Sequence, residues 1–230
     1  TALTLGKRRG FPKSLTPPHS PILTMIGAAM LWIGWFGFNA GSALGANSSA
    51  GMAMLVTHIS ASTSALVWMF IEWKRFGKPS LIGVVTGMVA GLATVTPASG
   101  YIGIPGGLIL GLSGGLLCYL AVDYIRGKLQ IDDSLDVFAV HGVGGILGTL
   151  LVAFLATSTF SGLGLPEGQT AISQFIVQFK AVVLTVIWTS VFTYLILKAT
   201  SLIVPLRVEE QEEIEGLDLR SHGEKGYHSD

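Results

Sequence analysis

Long apolar runs separated by short polar segments dominate this chain. A helix needs about 20 mostly apolar residues to cross a bilayer. Six stretches read that way: residues 21–40, 51–73, 80–96, 103–125, 137–157 and 175–204. The third is short, and the last is long enough to tilt or project. The pattern predicts an all-α integral membrane protein of about six transmembrane helices. A basic segment (1–20) precedes the bundle (21–204), and an acidic tail (205–230) follows it.

Lysine and arginine give the bundle a direction. Lys7, Arg8, Arg9 and Lys13 precede the first span, and Lys74, Arg75 and Lys78 follow the second. Arg126 and Lys128 follow the fourth, and Arg207, Arg220 and Lys225 lie in the tail. The alternate connections GSALGANSSA, PASGYIGIPGG and TSTFSGLGLPEGQTAISQ carry none. The positive-inside rule then places both ends of the chain in the cytoplasm of a multi-pass membrane protein. Glycines recur at four-residue spacing (Gly83, Gly87 and Gly91; Gly107, Gly111 and Gly115; Gly144 and Gly148). Small residues at that interval let helix backbones approach closely in lipid, so the spacing predicts tight packing.

Composition narrows the classes. Charged residues make up 12% of the 230-residue chain, about half the share of an ordinary soluble domain. The net charge of zero gives no support for nucleic-acid binding. Cys118 is the one cysteine, which leaves no internal disulfide and no thiolate metal cluster. Nucleotide loops, HExxH and GxSxG are absent from the sequence, and no cofactor is implied. The chain opens on Thr1 in a polar, basic stretch, and the expectation is a piece of a longer or processed protein.

His141 is the main chemical candidate. It sits in DVFAVHGVGGILGTLLVAFLA, inside the fifth span, with Gly142, Gly144 and Gly145 beside it. An ionisable ring at bilayer depth is costly, and such residues usually mark a substrate path. In the first span, Trp35 and Phe38 share a helix face that Leu31 and Ser42 extend. This stripe is either ordinary packing or an aromatic surface that attracts a cation. His58 reads as structural, with Thr57, Ser60, Ser62 and Ser64 as available partners. Glu72 reads as an interfacial ion pair with Lys74 or Arg75. Asp132 and Asp133 read as helix-start acids, with Asp133 or Asp136 as the cap. The tail reads as a solvated acidic segment, either disordered or docked on a partner.

Several segments together resemble the ammonium transporter family (the Amt/Mep/Rh proteins). They are GWFGFNAGS, EW at Glu72, GKPS, VTPASGYIG, DVFAVHGVGGILG, and the tail's GLD and SHGE, in that order. The resemblance implies eleven spans in two inverted halves plus a last long helix. This chain would be the second half with that helix. It also implies a homotrimer with one pore per subunit. His141 then resembles one of two pore histidines, and Leu31, Trp35 and Val137 resemble pore lining. Phe38 resembles one ring of an outer gate, and Ser42 the hydroxyl of an external ammonium site. Thr96 and Asp136 resemble structural supports of the pore wall. The second histidine, the second gate phenylalanine and an outer tryptophan would belong to the other half, and His58 lies in the wrong helix to replace that histidine. The implied activity is ammonium or ammonia transport, not enzymatic. The alternative is an ammonium sensor that signals through the tail, with a PII-type regulatory protein as the implied partner. An intramembrane hydrolase using Ser42 or Ser99 with His141 is the enzyme alternative, and no spacing selects it.

Overall fold

A computed structural model describes residues 1–14 and 17–226. The last four tail positions, Asp230 among them, lie outside the described residues. After a short helix α1 (Ala2–Leu5), the chain forms α2 (Pro21–Gly41), α3 (Ser48–Phe76), α4 (Leu81–Val95) and α5 (Ile104–Val122). A π-helical segment, Asp123–Lys128, prolongs α5. A π-helical turn, Phe138–Gly142, opens α6 (Val143–Leu155). Then come α7 (Ala171–Ser201) and the short tail helix α8 (Glu210–Glu215).

Among the described residues, five helical segments are long and apolar enough to cross a membrane: α2, α3, Ile104–Lys128, Phe138–Leu155 and α7. The third expected span is apolar, but its helix α4 has only 15 residues. Its limits are local chemistry. The Ser80 side chain accepts the Gly83 N–H at 2.8 Å and fixes the start. Pro97 follows Thr96 and discourages continuation. The caps of α2, α3 and α7 are likewise polar side chains, from Ser20, Asn47 and Thr170.

The core lies where α3, α4 and α5 meet. Ser60 Oγ donates to the Gly91 carbonyl at 2.8 Å, and Ser64 Oγ donates to the Gly87 carbonyl at 2.5 Å. A Cβ on Gly91 would press into the Ser60 carbonyl, and one on Gly111 would lie 2.7 Å from the same oxygen. Both glycine rows therefore pack on one stripe of α3. The third row meets Thr94 of α4: a Cβ on Gly144 would lie 2.8 Å from its Oγ1, and one on Gly148 would strike its carbonyl. Shape excludes side chains here, so the backbones approach closely.

Two local expectations change. Glu72 forms no ion pair with Lys74 or Arg75. Its carboxylate accepts the Ser80 N–H at 2.6 Å and the Ser80 hydroxyl at 3.2 Å, so it sits on the open N–H groups at the start of α4. Arg75 instead pairs with Asp123 and donates to the Tyr119 hydroxyl at 3.1 Å. Three of the four hydroxyls near His58 also serve other partners. Thr57 bonds Asn39 and the Ala53 carbonyl, while Ser60 and Ser64 reach α4.

Gly91→Ala is expected to lower the detergent melting temperature through overpacking worth about 1–3 kcal/mol. A thermal melt followed by tryptophan fluorescence checks it.

Candidate functional site

Trp35 is the hinge of the site. Its Nε1 donates to Thr96 Oγ1 at 2.8 Å, and that hydroxyl donates to the Leu92 carbonyl at 2.7 Å. The indole is thereby pinned to the end of α4. Its ring lies nearly parallel to the His141 imidazole, with centroids 6.4 Å apart and planes at 14°. Phe38 meets the same indole edge-on at 6.1 Å. A cavity of about 590 Å³ lies on one side, lined by Leu31, Trp35 and Phe38 with Gly27, Met30 and Gly34. On the other side a cavity of about 1010 Å³ is lined by Val137, Phe138, His141 and Gly142. Trp35 lines the first cavity and His141 the second, so the stacked pair links a wall of each.

Asn39 is a further tie between α2 and α3. It is buried and donates to Thr57 Oγ1 at 2.9 Å. A polar amide inside an apolar run was the available signal. Ser42 is exposed at the end of α2, and its hydroxyl donates to the Phe38 carbonyl at 2.7 Å. Its oxygen retains acceptor capacity. Ser99 likewise donates to a backbone carbonyl, that of Thr96 at 3.3 Å. Neither hydroxyl forms a nucleophile pair with His141, so the hydrolase reading gains no geometry.

Three aspartates precede the helix of His141, and each does something different. Asp133 accepts the Phe138 N–H at 2.7 Å and caps the helix start, as a helix-start acid should. Asp132 does not cap it. Its carboxylate takes the Arg8 side chain in a two-pronged ion pair, 2.7 Å at the shortest, and also accepts the Arg8 backbone N–H at 2.7 Å. The Asp132 side chain is 2% exposed. The Arg8 hydrogen bonds hold its carboxyl below the usual carboxylate range. Asp136 takes a left-handed backbone conformation (φ 54°) and pairs with Arg126 at 3.1 Å. Burial pushes its carboxyl up, against the lowering effect of Arg126. Its carbonyl accepts the Val140 N–H at 2.8 Å, one residue before His141.

The described part of the tail is docked. Arg207 grips Glu213 at 2.7 Å and donates to the Lys7 carbonyl at 2.8 Å. The Arg9 N–H donates to Glu213 at 3.1 Å. The basic segment and the tail thus form one wall of the larger cavity, which Arg8, Arg207 and Glu213 all line. Pairs so distant in sequence carry no local signal.

A model of the Ammonium Transporter Family matches residues 1–227. The chain belongs to the ammonium transporter family. Its curated relatives include the ammonium transporter Amt1 of Archaeoglobus fulgidus, 46% identical over 98% of this chain and 57% of its own length. The ammonium transporter of Aquifex aeolicus is 44% identical over 98% of this chain and 52% of its own. Among solved structures, that of a "Sensor Amt Protein" aligns with a TM-score of 0.86 at 29% identity, over 95% of this chain and 55% of that one. Candida albicans Mep2 aligns at 0.79 and 32% identity, over 92% and 49%. The chain spans about half the length of the curated relatives it matches. Family and apolar helices together make it a multi-pass membrane protein.

The Asp132 carboxyl is held down in the folded state. Its pairing with Arg8 is therefore at full strength above the ordinary aspartate value, about 4. That contribution fades as pH falls through the lowered value. Between pH of about 5 and 8, the protein is expected to keep residues 1–14 protected from amide exchange. Asp132→Asn is expected to expose them across the same range, as mass spectrometry would report.

Proposed function

We propose that this chain forms one half of an ammonium transporter's pore wall. Its path runs past Ser42, Phe38, Trp35, Leu31 and His141 to Val137. The Trp35–His141 stack, with one ring lining each of two cavities, is the observation that carries the reading. An ammonium-sized ion faces a cost on the order of 20 kcal/mol in a low-dielectric medium before compensation. At the mouth, Ser42 accepts an N–H and each ring face contributes about 0.5 to 2 kcal/mol. Those contacts select the cation but cannot carry it across. The apolar stretch favours neutral ammonia, which His141 hydrogen-bonds, and the same ring can relay the proton that ammonium gives up in becoming ammonia. Thr96 holds Trp35, and Asp136 holds the turn that carries His141. The basic segment and tail face the cytoplasm, the full protein is a homotrimer, and its transport needs no cofactor.

A second reading is an ammonium sensor. Two observations favour it: the tail is docked against the basic segment, and one similar structure is that of a protein described as a sensor. A PII-type regulatory protein would be the partner at the tail. Deletion of residues 208–230 separates the readings. A transporter changes its flux or its regulation, whereas a sensor keeps its substrate site and loses signalling.

His141→Ala in the full-length protein is expected to abolish methylammonium uptake by cells that lack other carriers, or to alter its selectivity. Unchanged rate and selectivity would remove His141 from the path.

A further inference from the structure

Helix α2 carries much of the proposed pore wall, yet it is lightly held. Of its 21 residues only Ala28 and Asn39 are buried. Asn39 ties one end to Thr57, and Trp35 ties the middle to Thr96. The next contact down the helix is aromatic. The His58 imidazole of α3 stacks on Trp32, with centroids 5.2 Å apart and planes at 29°. It also meets Phe36 at 6.1 Å.

Trp32 has unusual support. Its Nε1 is buried and has no hydrogen-bond acceptor among the described residues. Ring stacking and apolar packing alone fix its position. It packs on the same buried cluster as Trp35, formed by Ala28, Ala61, Val85, Met88 and Leu92. The two indoles are one helical turn apart, so whatever holds Trp32 also sets the rotation of α2 at Trp35. Side-chain tips lie about 5–6 Å from a helix axis, so a rotation of about 20° moves one by roughly 2 Å. The Trp35–His141 stack at 6.4 Å would not survive such a shift unchanged.

We propose that His58 is a positioning residue: stacked on Trp32, it fixes the rotation of α2 that presents Trp35 to His141. This rests on the transport reading above. It also explains an ionisable ring beside which three hydroxyls, those of Thr57, Ser60 and Ser64, are engaged elsewhere. The imidazole is kept for its flat face.

The test uses the full-length transporter with Cys118→Ala as background and two reporters on α2, Leu31→Cys and Ile33→Cys. Leu31 lines the cavity beside Trp35; Ile33 does not. Labelling by a membrane-impermeant thiol reagent reads the rotation of α2 whether or not the protein transports. His58→Leu removes the ring, and His58→Phe keeps it. The expected result for His58→Leu is several-fold slower labelling at Leu31→Cys and faster labelling at Ile33→Cys. Without the reporters, the same substitution is expected to lower maximal methylammonium uptake about tenfold, as a small misplacement of a working group can. Half-saturation should not move, because the outer site is untouched. His58→Phe should restore both readouts. Wild-type labelling in His58→Leu would overturn the proposal, as would His58→Phe behaving like His58→Leu. A shifted labelling pattern with unchanged uptake would uphold the positioning of α2 and count against the transport role of Trp35 instead.

Discussion

Ser60 and Ser64 of α3 donate to backbone carbonyls of α4, and everything at the site hangs on that contact. A helix carbonyl is normally screened by its own side chains. Here Gly87 and Gly91 leave it open, and Gly111 and Gly115 bring α5 onto the same serines. Water is absent at this depth, so a hydroxyl must find its partner within the protein. Each serine meets that demand across the helix boundary and fixes axial register as it does so. Apolar packing alone tolerates sliding, whereas a hydrogen bond to one particular carbonyl does not.

Register passes from there to chemistry in two steps. With α4 fixed against α3, Thr96 at its end is fixed too, and it holds the indole of Trp35. Thr94, two residues earlier, seats Gly144 and Gly148 of α6. One short helix therefore positions both rings of the stack, one by a hydrogen bond and the other by close backbone contact. This gives α4 a use that its 15 residues would not suggest. Its shortness leaves Thr94 and Thr96 near a helix end, beside the rings they position.

The helices were legible because lipid requires long apolar runs, and the glycine spacing was legible because close packing excludes side chains. Ser42, Phe38, Trp35, Leu31 and His141 were nominated through residue pattern and family resemblance together, and Val137 through the resemblance alone. What could not be read locally was pairing across the chain. Asp132 looked like a helix-start acid because acids favour helix starts, but Arg8, 124 residues away, takes it. Glu72 looked like a partner for its basic neighbours, yet the unsatisfied N–H groups at Ser80 lie nearer to its carboxylate. His58 looked satisfiable by hydroxyls that sequence cannot show to be occupied. In each case the local rule named a plausible partner and tertiary geometry supplied a better one.

The two sides of the Trp35–His141 stack are held by different physics. On the Trp35 side, α2 is tied by single side-chain contacts and aromatic faces. On the His141 side, the start of α6 is held by charge. Asp133 caps it, Asp136 pairs with Arg126, and Asp132 binds Arg8 of the segment on which the tail rests. Charged contacts respond to salt and to binding of a charged partner, and the packing of ring faces responds far less to either. If flux is regulated from the tail, the signal therefore has a short route to His141 through Arg8, Asp132 and the turn at Asp136. The aromatic side would hold still while it acts. In the proposed pore, an adjustable end at His141 against a fixed wall at α2 would let selectivity at the mouth stay constant while passage past the histidine is tuned.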